Sequence, residues 1–147
     1  MTRPLTQLAP TFQLQTSHGP VQLVDYRGKQ KVLMYFMREF NCPMCTKVVL
    51  HLKRMHPELQ AHNIQVLVLG GGDEKAAHTL QKRFDLPFPV AADPNRNIYR
   101  AYSLEKTLGL LQWNGTVLVD LDGKIVYQRV SQRPGGSFDE VELKTHW

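Results

Sequence analysis

The sequence predicts an α/β fold in which a central mixed β-sheet is flanked by helices, with a β-hairpin added at the N-terminus. A buried apolar run, an amphipathic helical pattern and a second apolar run follow one another around the two cysteines, as in a strand–helix–strand unit. Near each end of the chain, two strand-like segments flank a turn sequence. With 147 residues and no linker-like tract, the chain is predicted to form a single domain over residues 1–147.

The predicted N-terminal hairpin consists of "TFQLQT" and "VQLVDY", which alternate apolar and polar residues on either side of the turn sequence "SHGP". After the loop "RGKQ", residues 31–37 ("KVLMYFM") form a nearly continuous apolar run. Such a run is typical of a central strand that is buried on both faces. The first part of the chain therefore predicts a hairpin followed by a central strand.

The segment after the cysteines has the period of an amphipathic helix. Five apolar residues recur at helical spacing up to about Ala61, namely Val48, Val49, Leu52, Met55 and Leu59. The apolar run "IQVLVL" then predicts a second buried strand, and Asp73 is a predicted N-cap for a second helix. That helix is expected to turn three apolar residues inward, Ala77, Leu80 and Phe84.

The rest of the chain adds an extended segment, a short helix and a closing hairpin. "DLPFPVAADP" is too rich in proline for a central helix, whereas "NRNIYRAYSL" is predicted to contain a short one. "TVLVDL" and "KIVYQRV" flank "DG", which is a strong signal for a tight hairpin. The complete order of elements, a hairpin, β–α–β–α, an extended segment, a helix and a second hairpin, predicts a thioredoxin-like fold.

Composition narrows the classes of function. The formal net charge is +5, but the basic residues are scattered and alternate with acidic ones. A nucleic-acid interface would need a concentrated basic stripe with interleaved aromatic residues, so we expect no nucleic-acid binding. The longest apolar runs are too short to span a bilayer, and "MTRPLTQLAP" lacks the apolar core of a secretory leader. A cytoplasmic protein that does not enter the membrane is expected.

Both cysteines lie in "FNCPMC", at the predicted junction between the first central strand and the long helix. Pro43 suits the first position of a helix, which places Cys42 at the N-cap. There its sulfur can accept backbone N–H bonds, and the helix dipole stabilises a thiolate. Cys45 lies one turn inside the helix. The spacing therefore predicts that Cys42 is the nucleophile and the more acidic and exposed thiol, with Cys45 as the resolving thiol.

Positive charge near the cysteines is expected to favour the thiolate form. Arg38 leaves the end of the predicted strand shortly before Cys42. A neighbouring cation lowers the pKa of a thiol and so raises its reactivity at neutral pH. Arg38 is therefore predicted to be a catalytic residue together with Cys42 and Cys45.

Four aromatic residues near the motif have different expected roles. Tyr35 and Phe36 lie within the predicted central strand and are expected to be core residues. Phe40 is a candidate for the wall of a pocket beside the reactive thiol. Trp113 precedes the strand that would face Cys42 in this fold, so it is a second candidate for lining the site.

Other interpretations of these motifs are weaker. Zinc binding by the cysteines with His51 and His56 would need about 12 residues between the second cysteine and the first histidine, whereas five intervene here. Inert buried cysteines would not require a C-P-x-C spacing at a strand-to-helix junction. The sequence places no carboxylate to orient any histidine. "GGGD" lacks the glycine patterns of nucleotide-binding loops and is expected to form a tight turn. No cofactor and no metal ion are predicted.

Five segments occur in a characteristic order: "APTFQL", "VQLVDYRGKQKVLMYF", the cysteine motif, "LPFPVAADPNRNIYRAYSL" and "GTVLVDLDGKIVYQ". In this order they resemble the peroxiredoxin-like redoxins, the family of alkyl hydroperoxide reductase and thiol-specific antioxidant proteins. The resemblance covers roughly residues 9–130. "FMREFNCPMC" is most similar to an atypical branch with an F-x-R-x-x-x-C-P-x-C loop. The resemblance implies a thiol-dependent enzyme that reduces hydroperoxides.

The chain departs from the typical pattern of that family at three positions. Typical members have P-x-x-x-T/S-x-x-C, whereas this chain has Met37 near the proline position and Asn41 near the threonine position. Typical members also have an arginine before the penultimate strand, where this chain has Asn114. Because the family residues bind and polarise the peroxide, we expect peroxide reduction to be slow, with Arg38 compensating in part.

Three functional hypotheses follow from these patterns. In the first, Cys42 attacks a hydroperoxide to form a sulfenic acid, and Cys45 resolves it as a Cys42–Cys45 disulfide. In the second, Cys42 attacks a disulfide substrate in thiol–disulfide exchange. The third is a non-enzymatic redox-sensing or regulatory binding module. An enzyme of either kind needs an external dithiol reductant such as a thioredoxin or glutaredoxin system, and a homodimer is compatible with the sequence.

Overall fold

The computed structural model describes residues 7–147. Residues 1–6, which hold much of the segment considered above as a leader, lie outside the described residues. The main strands are β1 (Gln13–Thr16), β2 (Gly19–Gln22), β3 (Lys31–Phe36), β4 (Ile64–Gly70), β5 (Val90–Ala92), β8 (Asn114–Val119) and β9 (Ile125–Ser131). Within residues 7–147 these seven strands form one sheet in the order β2-β1-β5-β4-β3-β8-β9. A small separate ribbon consists of β6 (Lys106–Thr107) and β7 (Leu111–Gln112).

Helices cover both faces of the sheet. They are α1 (Pro43–Ala61), α2 (Glu74–Arg83), α3 (Asn97–Ala101) and α4 (Glu140–Lys144). Helices α1, α2 and α4 pack on one face, and α3 packs on the other. In the part of the chain that the structure describes, none of the helices combines the length and the apolar character needed to cross a bilayer. The predicted α/β class, with a central mixed sheet, flanking helices and an N-terminal hairpin, is confirmed.

β3 lies at the centre of the sheet and leads directly to the cysteines. It is parallel to β4 and antiparallel to β8, so both of its edges are paired. Successive side chains of a strand point to opposite faces. One set (Leu33, Tyr35 and the following Met37) therefore lies beneath α1, and the other (Val32, Met34 and Phe36) faces α3. Burial on both faces explains the continuous apolar run in the sequence.

The structure differs from the sequence predictions near both ends of the chain. The second predicted strand, "VQLVDY", is paired only as far as Gln22, and a 3-10 turn over Leu23–Tyr26 follows it. Leu23 is buried, and the turn directs its side chain into the core beside α3. The β6–β7 ribbon and α4 were not predicted. Both are too short to produce a periodic apolar pattern that identifies them.

α4 is joined to α1 by charged and hydrogen-bonding groups. The Glu140 carboxylate contacts the His51 ring, and the Lys144 ammonium lies 3.1 Å from Glu58 and 2.8 Å from Glu140. The expectation that no carboxylate orients a histidine is therefore wrong for His51. The carboxylate belongs to Glu140, which is 89 positions later in the chain, and a local sequence pattern cannot indicate a pairing over that distance.

Candidate active site

Cys42 caps the helix that follows the central strand. It has an extended backbone conformation (φ −75°, ψ 115°), and α1 begins at the next residue, Pro43. The Cys42 sulfur accepts the backbone N–H of Cys45 at 3.4 Å. The Cys42 carbonyl accepts both the N–H and the hydroxyl of Thr46, each at 2.9 Å. The predicted N-cap position is confirmed, and it places the sulfur at the positive end of a 19-residue helix.

Cys45 lies one turn further along and deeper in the protein. Its sulfur accepts the backbone N–H of Arg38 at 3.3 Å. Burial raises the pKa of Cys45 to about 11, although the Arg38 N–H and the Tyr35 hydroxyl act to lower it. A thiol with such a pKa is protonated at neutral pH, whereas a nucleophilic thiol must be ionised. Cys45 is therefore protonated at neutral pH, and its role as the resolving thiol stays a prediction.

Both thiols are free and buried, with exposed fractions of 2% for Cys42 and 0% for Cys45. The expectation of an exposed Cys42 is not met. Its side chain turns back toward the first turn of α1 to accept the Cys45 N–H, which directs the sulfur into the core beneath the helix. Its two neighbours in the chain, Asn41 and Pro43, are exposed. The sulfur therefore lies just beneath the surface rather than on it.

Arg38 contacts the site through its backbone. Its N–H donates to the Cys45 sulfur, and its carbonyl accepts a hydrogen bond from Arg96 at 3.0 Å. The side-chain Nε of Arg38 is buried and has no hydrogen-bond partner among residues 7–147. This N–H group is therefore a donor that none of the described residues uses. The predicted catalytic role of the Arg38 guanidinium stays a prediction.

Arg96 anchors the loop before the cysteines. It has a left-handed conformation (φ 59°) just before α3, and its side chain is buried. The Nη2 group of Arg96 donates to the Arg38 carbonyl at 3.0 Å and to the Glu39 carboxylate at 2.8 Å. The guanidinium lies over the Tyr99 ring, with its central carbon 4.5 Å from the ring centroid. Arg96 thus holds in place the residue whose N–H contacts Cys45.

Tyr99 attaches α3 to the ends of the two central strands. Its hydroxyl donates to the Met37 carbonyl at 2.5 Å and lies 3.1 Å from the Leu69 carbonyl. The Asp93 carboxylate accepts the backbone N–H groups of Ile98 and Tyr99, at 2.8 Å and 3.2 Å, and so fixes the start of the helix. Burial raises the pKa of Tyr99, so its hydroxyl remains a donor.

Sequence reasoning missed Arg96, Tyr99 and Tyr35 as residues of the site. Asp93 before a proline and an asparagine is a turn and capping signal, and it could have marked the start of α3. Nothing in the sequence indicates that the Arg96 side chain bonds to residues 38 and 39. Tyr35 was expected to be a core residue, and it is fully buried, but its hydroxyl faces the Cys45 thiol.

The glycines of "GGGD" make room for side chains of the active-site region. None of Gly70, Gly71 and Gly72 has a positive φ, so the expected tight turn does not explain them. A Cβ on Gly70 would lie 2.3 Å from the Phe40 ring, and one on Gly71 would lie 2.0 Å from the Arg96 guanidinium. Asp73 caps α2 by accepting the Ala76 N–H at 2.8 Å, as predicted. The motif is therefore a packing site for Phe40 and Arg96.

The two aromatic candidates for lining the site have different positions. Phe40 borders a cavity of about 350 Å³ beside α2, as well as the glycines. Trp113 instead donates its indole N–H to the Thr107 hydroxyl at 2.7 Å and packs against the β6–β7 ribbon. Phe40 is therefore the aromatic residue that borders an open cavity at this loop.

Asn114 occupies the position where the family resemblance leads us to expect an arginine. Its side chain is fully buried at the start of β8. The amide NH₂ donates to the carbonyls of Ser131 and Arg133, at 3.0 Å and 2.8 Å. The amide oxygen accepts the N–H of Ser137 at 3.3 Å and its hydroxyl at 2.5 Å. Both amide hydrogens are therefore used in hydrogen bonds within the protein.

The histidines considered as zinc ligands contact other groups. His51 contacts Glu140, and the ring centroid of His56 lies 5.8 Å from that of Phe88. Among residues 7–147 the structure shows no group of three or more His, Cys, Asp or Glu side chains arranged to hold a metal ion.

The curated proteins that are similar in sequence include three that represent two kinds of thiol protein. Peroxiredoxin 2 of Thermoplasma acidophilum is 32% identical over 67% of this chain and 52% of its own length. A putative peroxiredoxin (bcp) of Coxiella burnetii is 29% identical over 81% of this chain and 83% of its own. The thiol-disulfide oxidoreductase ResA of Bacillus thuringiensis is 26% identical over 92% of this chain and 75% of its own. The chain thus spans about half the length of the archaeal relative.

Solved structures of similar fold include two peroxiredoxins. The reduced 2-Cys peroxiredoxin of Plasmodium vivax superposes with a TM-score of 0.83 at 19% identity, over 97% of both chains. Peroxiredoxin Q of Xanthomonas campestris gives a TM-score of 0.81 at 22% identity, over 92% of this chain and 90% of its own. These likenesses confirm the predicted thioredoxin-like fold.

The predicted family is also confirmed. The model of the AhpC/TSA family matches residues 5–128, which include the central strands, both cysteines, Arg96 and Asn114. This match extends over most of the chain, and it agrees with the position of the Cys42 thiol at a helix N-terminus. The chain belongs to the AhpC/TSA family.

Proposed function

We propose that this chain is a thiol-dependent oxidoreductase that reduces hydroperoxides, with Cys42 as the nucleophile and Cys45 as the resolving thiol. The observation that carries the proposal is the Cys42 sulfur at the N-cap of α1, where it accepts the Cys45 N–H. Family membership and similarity to peroxiredoxins support the choice of a hydroperoxide as substrate. The buried, protonated state of Cys45 supports its role as the second thiol.

In the first step, the Cys42 thiolate attacks the terminal oxygen of the hydroperoxide. A sulfur–oxygen bond forms as the oxygen–oxygen bond breaks, so the sulfur is oxidised to a sulfenic acid and the peroxide is reduced to an alcohol. The departing alkoxide takes up a proton from solvent. The N-terminus of α1 assists because its unpaired N–H groups and positive dipole end stabilise the thiolate.

In the second step, the Cys45 sulfur displaces hydroxide from the Cys42 sulfenic acid. The sulfur–sulfur bond forms, the sulfur–oxygen bond breaks, and the thiol proton leaves with the hydroxide as water. An external dithiol reductant, of the thioredoxin or glutaredoxin kind, then supplies two electrons and restores both thiols. Because both sulfurs are buried, we expect the first turn of α1 to open locally during this exchange. A cytoplasmic location would provide such a reductant and stays a prediction.

The donors around Cys42 predict a slow first step. Both amide hydrogens of Asn114 are bonded to backbone carbonyls and do not point at a substrate. The Arg38 Nε–H is a buried donor of the cysteine loop that has no partner among residues 7–147. Loss of one preorganised donor typically costs about 10²–10³-fold in rate. We therefore expect Arg38 to supply part of the stabilisation of the peroxide that a typical family member obtains from the loop threonine and the arginine.

Self-association is a further part of the proposal. Leu108 and Leu110 lie at the tip of the β6–β7 ribbon and are 92% and 82% exposed. Exposed apolar side chains of this size on one projection favour burial against another surface. We expect a homodimer at high protein concentration. Sedimentation of the wild type and of Leu108→Ser/Leu110→Ser tests this expectation, and a wild-type monomer throughout would contradict it.

Thiol–disulfide exchange is the second candidate function. Both amide hydrogens of Asn114 are bonded to backbone carbonyls, so the position of the family arginine has no free donor for a peroxide. This favours exchange over peroxide reduction. The similarity to a thiol-disulfide oxidoreductase over 92% of the chain points the same way. In this case Cys42 attacks a substrate disulfide, and Cys45 then displaces the substrate thiol.

The decisive experiment is the second-order rate of the fully reduced protein with hydrogen peroxide. We expect turnover with a dithiol reductant, its loss in Cys42→Ser, and a single turnover in Cys45→Ser that ends as a Cys42 sulfenic acid. A disulfide substrate assayed in parallel identifies the alternative. Rapid reduction of that disulfide, with no reaction of wild-type protein with peroxide, would replace the proposal by the exchange function.

A further inference from the structure

Tyr35 lies within the active-site region but has no part in the steps described above. It is on β3, directly opposite Thr116 of β8, in the core beneath α1 that also contains both cysteines. The residue is fully buried, and its hydroxyl makes no complete hydrogen bond with residues 7–147. Buried polar groups in proteins are nearly always paired. A buried hydroxyl without a partner beside a reactive thiol therefore calls for a functional explanation.

The group that faces this hydroxyl is the Cys45 thiol. Among the neighbouring side chains, Cys45 has the largest effect on the pKa of Tyr35, and it raises that pKa. The two groups do not form a complete hydrogen bond. Burial raises the pKa of Tyr35, so the hydroxyl keeps its proton and can donate it in a hydrogen bond. The Cys45 sulfur already accepts one donor, the Arg38 N–H at 3.3 Å. Two potential donors thus converge on one sulfur.

The resolving step needs negative charge on that sulfur. Cys45 is protonated at neutral pH, and the thiolate is the form that attacks. Charge therefore develops on the Cys45 sulfur during the step, in a buried environment that disfavours it. Donors already aimed at a position where charge develops accelerate a reaction, because they need no reorganisation.

We propose that the Tyr35 hydroxyl acts in the resolving step by donating a hydrogen bond to the Cys45 sulfur as it becomes a thiolate. With the Arg38 N–H it forms a two-donor site for that thiolate. The inference rests on the proposed roles of the two cysteines but not on the identity of the substrate. After attack on a peroxide, the Cys45 proton leaves with hydroxide as water. After attack on a disulfide, the substrate thiolate departs and the proton goes to solvent.

The test uses a chromogenic aromatic disulfide that releases thionitrobenzoate, so it does not depend on peroxide chemistry. Attack by Cys42 releases the first equivalent of thionitrobenzoate, and attack by Cys45 on the mixed disulfide releases the second. Stopped-flow absorbance resolves the two phases. In Tyr35→Phe we expect an unchanged first phase and a second phase slowed by about tenfold, as for loss of one hydrogen bond to a charged group. The pH dependence of the second phase should move to higher pH.

Thr116→Val is the matched control. The Thr116 hydroxyl is also buried, also without a partner among residues 7–147, and opposite Tyr35 in the sheet. We expect both phases of this variant to match the wild type. A second phase that is unchanged in Tyr35→Phe, or slowed equally by Thr116→Val, would overturn the inference. Normal biphasic release by a wild type that does not react with peroxide would instead refute only the proposed substrate.

Discussion

Two groups of buried polar residues lie at the same end of the sheet and differ in how their hydrogen bonds are used. Around Asn114, both amide hydrogens and the amide oxygen are bonded to neighbouring backbone and hydroxyl groups. Around the thiols, the Tyr35 hydroxyl and the Arg38 Nε–H have no complete hydrogen bond with the described residues. The Cys45 sulfur accepts one backbone N–H.

This difference separates a structural role from a chemical one. A saturated buried group stabilises the fold, because its removal leaves several partners unpaired. An unsaturated buried group contributes little to stability, and beside a reacting thiol it can donate to a charge that develops there. Asn114, at the position of a family catalytic residue, belongs to the first class. Tyr35, which resembles an ordinary core residue in the sequence, belongs to the second.

The largest effect on stability is expected from Asn114→Ala. The substitution removes four hydrogen bonds in a fully buried setting and releases the segment after β9. We expect the free energy of unfolding to fall by about 3 kcal/mol, measured by chemical denaturation. The exposed Asn41→Ala is the control and should change it by less than about 0.5 kcal/mol. Equal effects of the two substitutions would mean that the Asn114 amide is not structural.

A smaller effect is expected from Arg96→Met, which removes the side-chain anchor of the cysteine loop. The free energy of unfolding should fall by about 2 kcal/mol, because the Arg38 carbonyl and the Glu39 carboxylate lose their donor. Hydrogen exchange of the Arg38 amide should accelerate as well. The control is Arg100→Met, whose exposed side chain bonds to Asn97. Unaltered exchange at Arg38 in Arg96→Met would argue against the anchor.

Arg38→Ala should affect chemistry more than stability. Loss of its free N–H group is expected to lower the rate of reaction with peroxide by about tenfold, equivalent to about 1.4 kcal/mol. Arg38→Lys keeps the charge but loses the planar set of donors, so it separates the two contributions. Recovery of the full wild-type rate in Arg38→Lys would show that charge alone matters. No change in Arg38→Ala would remove Arg38 from the catalytic residues.

The smallest effect on stability is expected from Tyr35→Phe. Because the hydroxyl has no complete hydrogen bond to lose within residues 7–147, the free energy of unfolding should stay within about 1 kcal/mol of the wild type. Thermal and chemical denaturation measure this directly. A loss as large as that of Asn114→Ala would indicate a hidden structural partner for the hydroxyl and would place the two residues in one class.

Much of this fold could be predicted because it depends on local patterns. The strand before the cysteines is continuously apolar since both of its faces are buried, and Pro43 marks the start of α1. The Cys42 N-cap follows from the same local signal. The hairpins at both ends have turn sequences that define them. These features need no knowledge of distant contacts.

The parts that could not be predicted depend on distant residues. Arg96 reaches the cysteine loop because of a left-handed backbone angle and because Gly71 has no side chain. The partners of Asn114 come from a segment about twenty residues later in the chain, whose path is irregular. The burial of Cys42 depends on which way its side chain turns at the helix cap. None of these features has a period or motif in the sequence.

The account is tested most directly by mass spectrometry of the reduced protein after reaction with one equivalent of hydrogen peroxide. We predict an intramolecular Cys42–Cys45 disulfide in the wild type. In Cys45→Ser we predict a sulfenic acid on Cys42, trapped by dimedone. The free Cys45 of Cys42→Ser should remain unmodified under the same conditions. Disulfide-linked dimers as the main wild-type product, or a sulfenic acid on Cys45, would contradict the assigned roles of the two thiols.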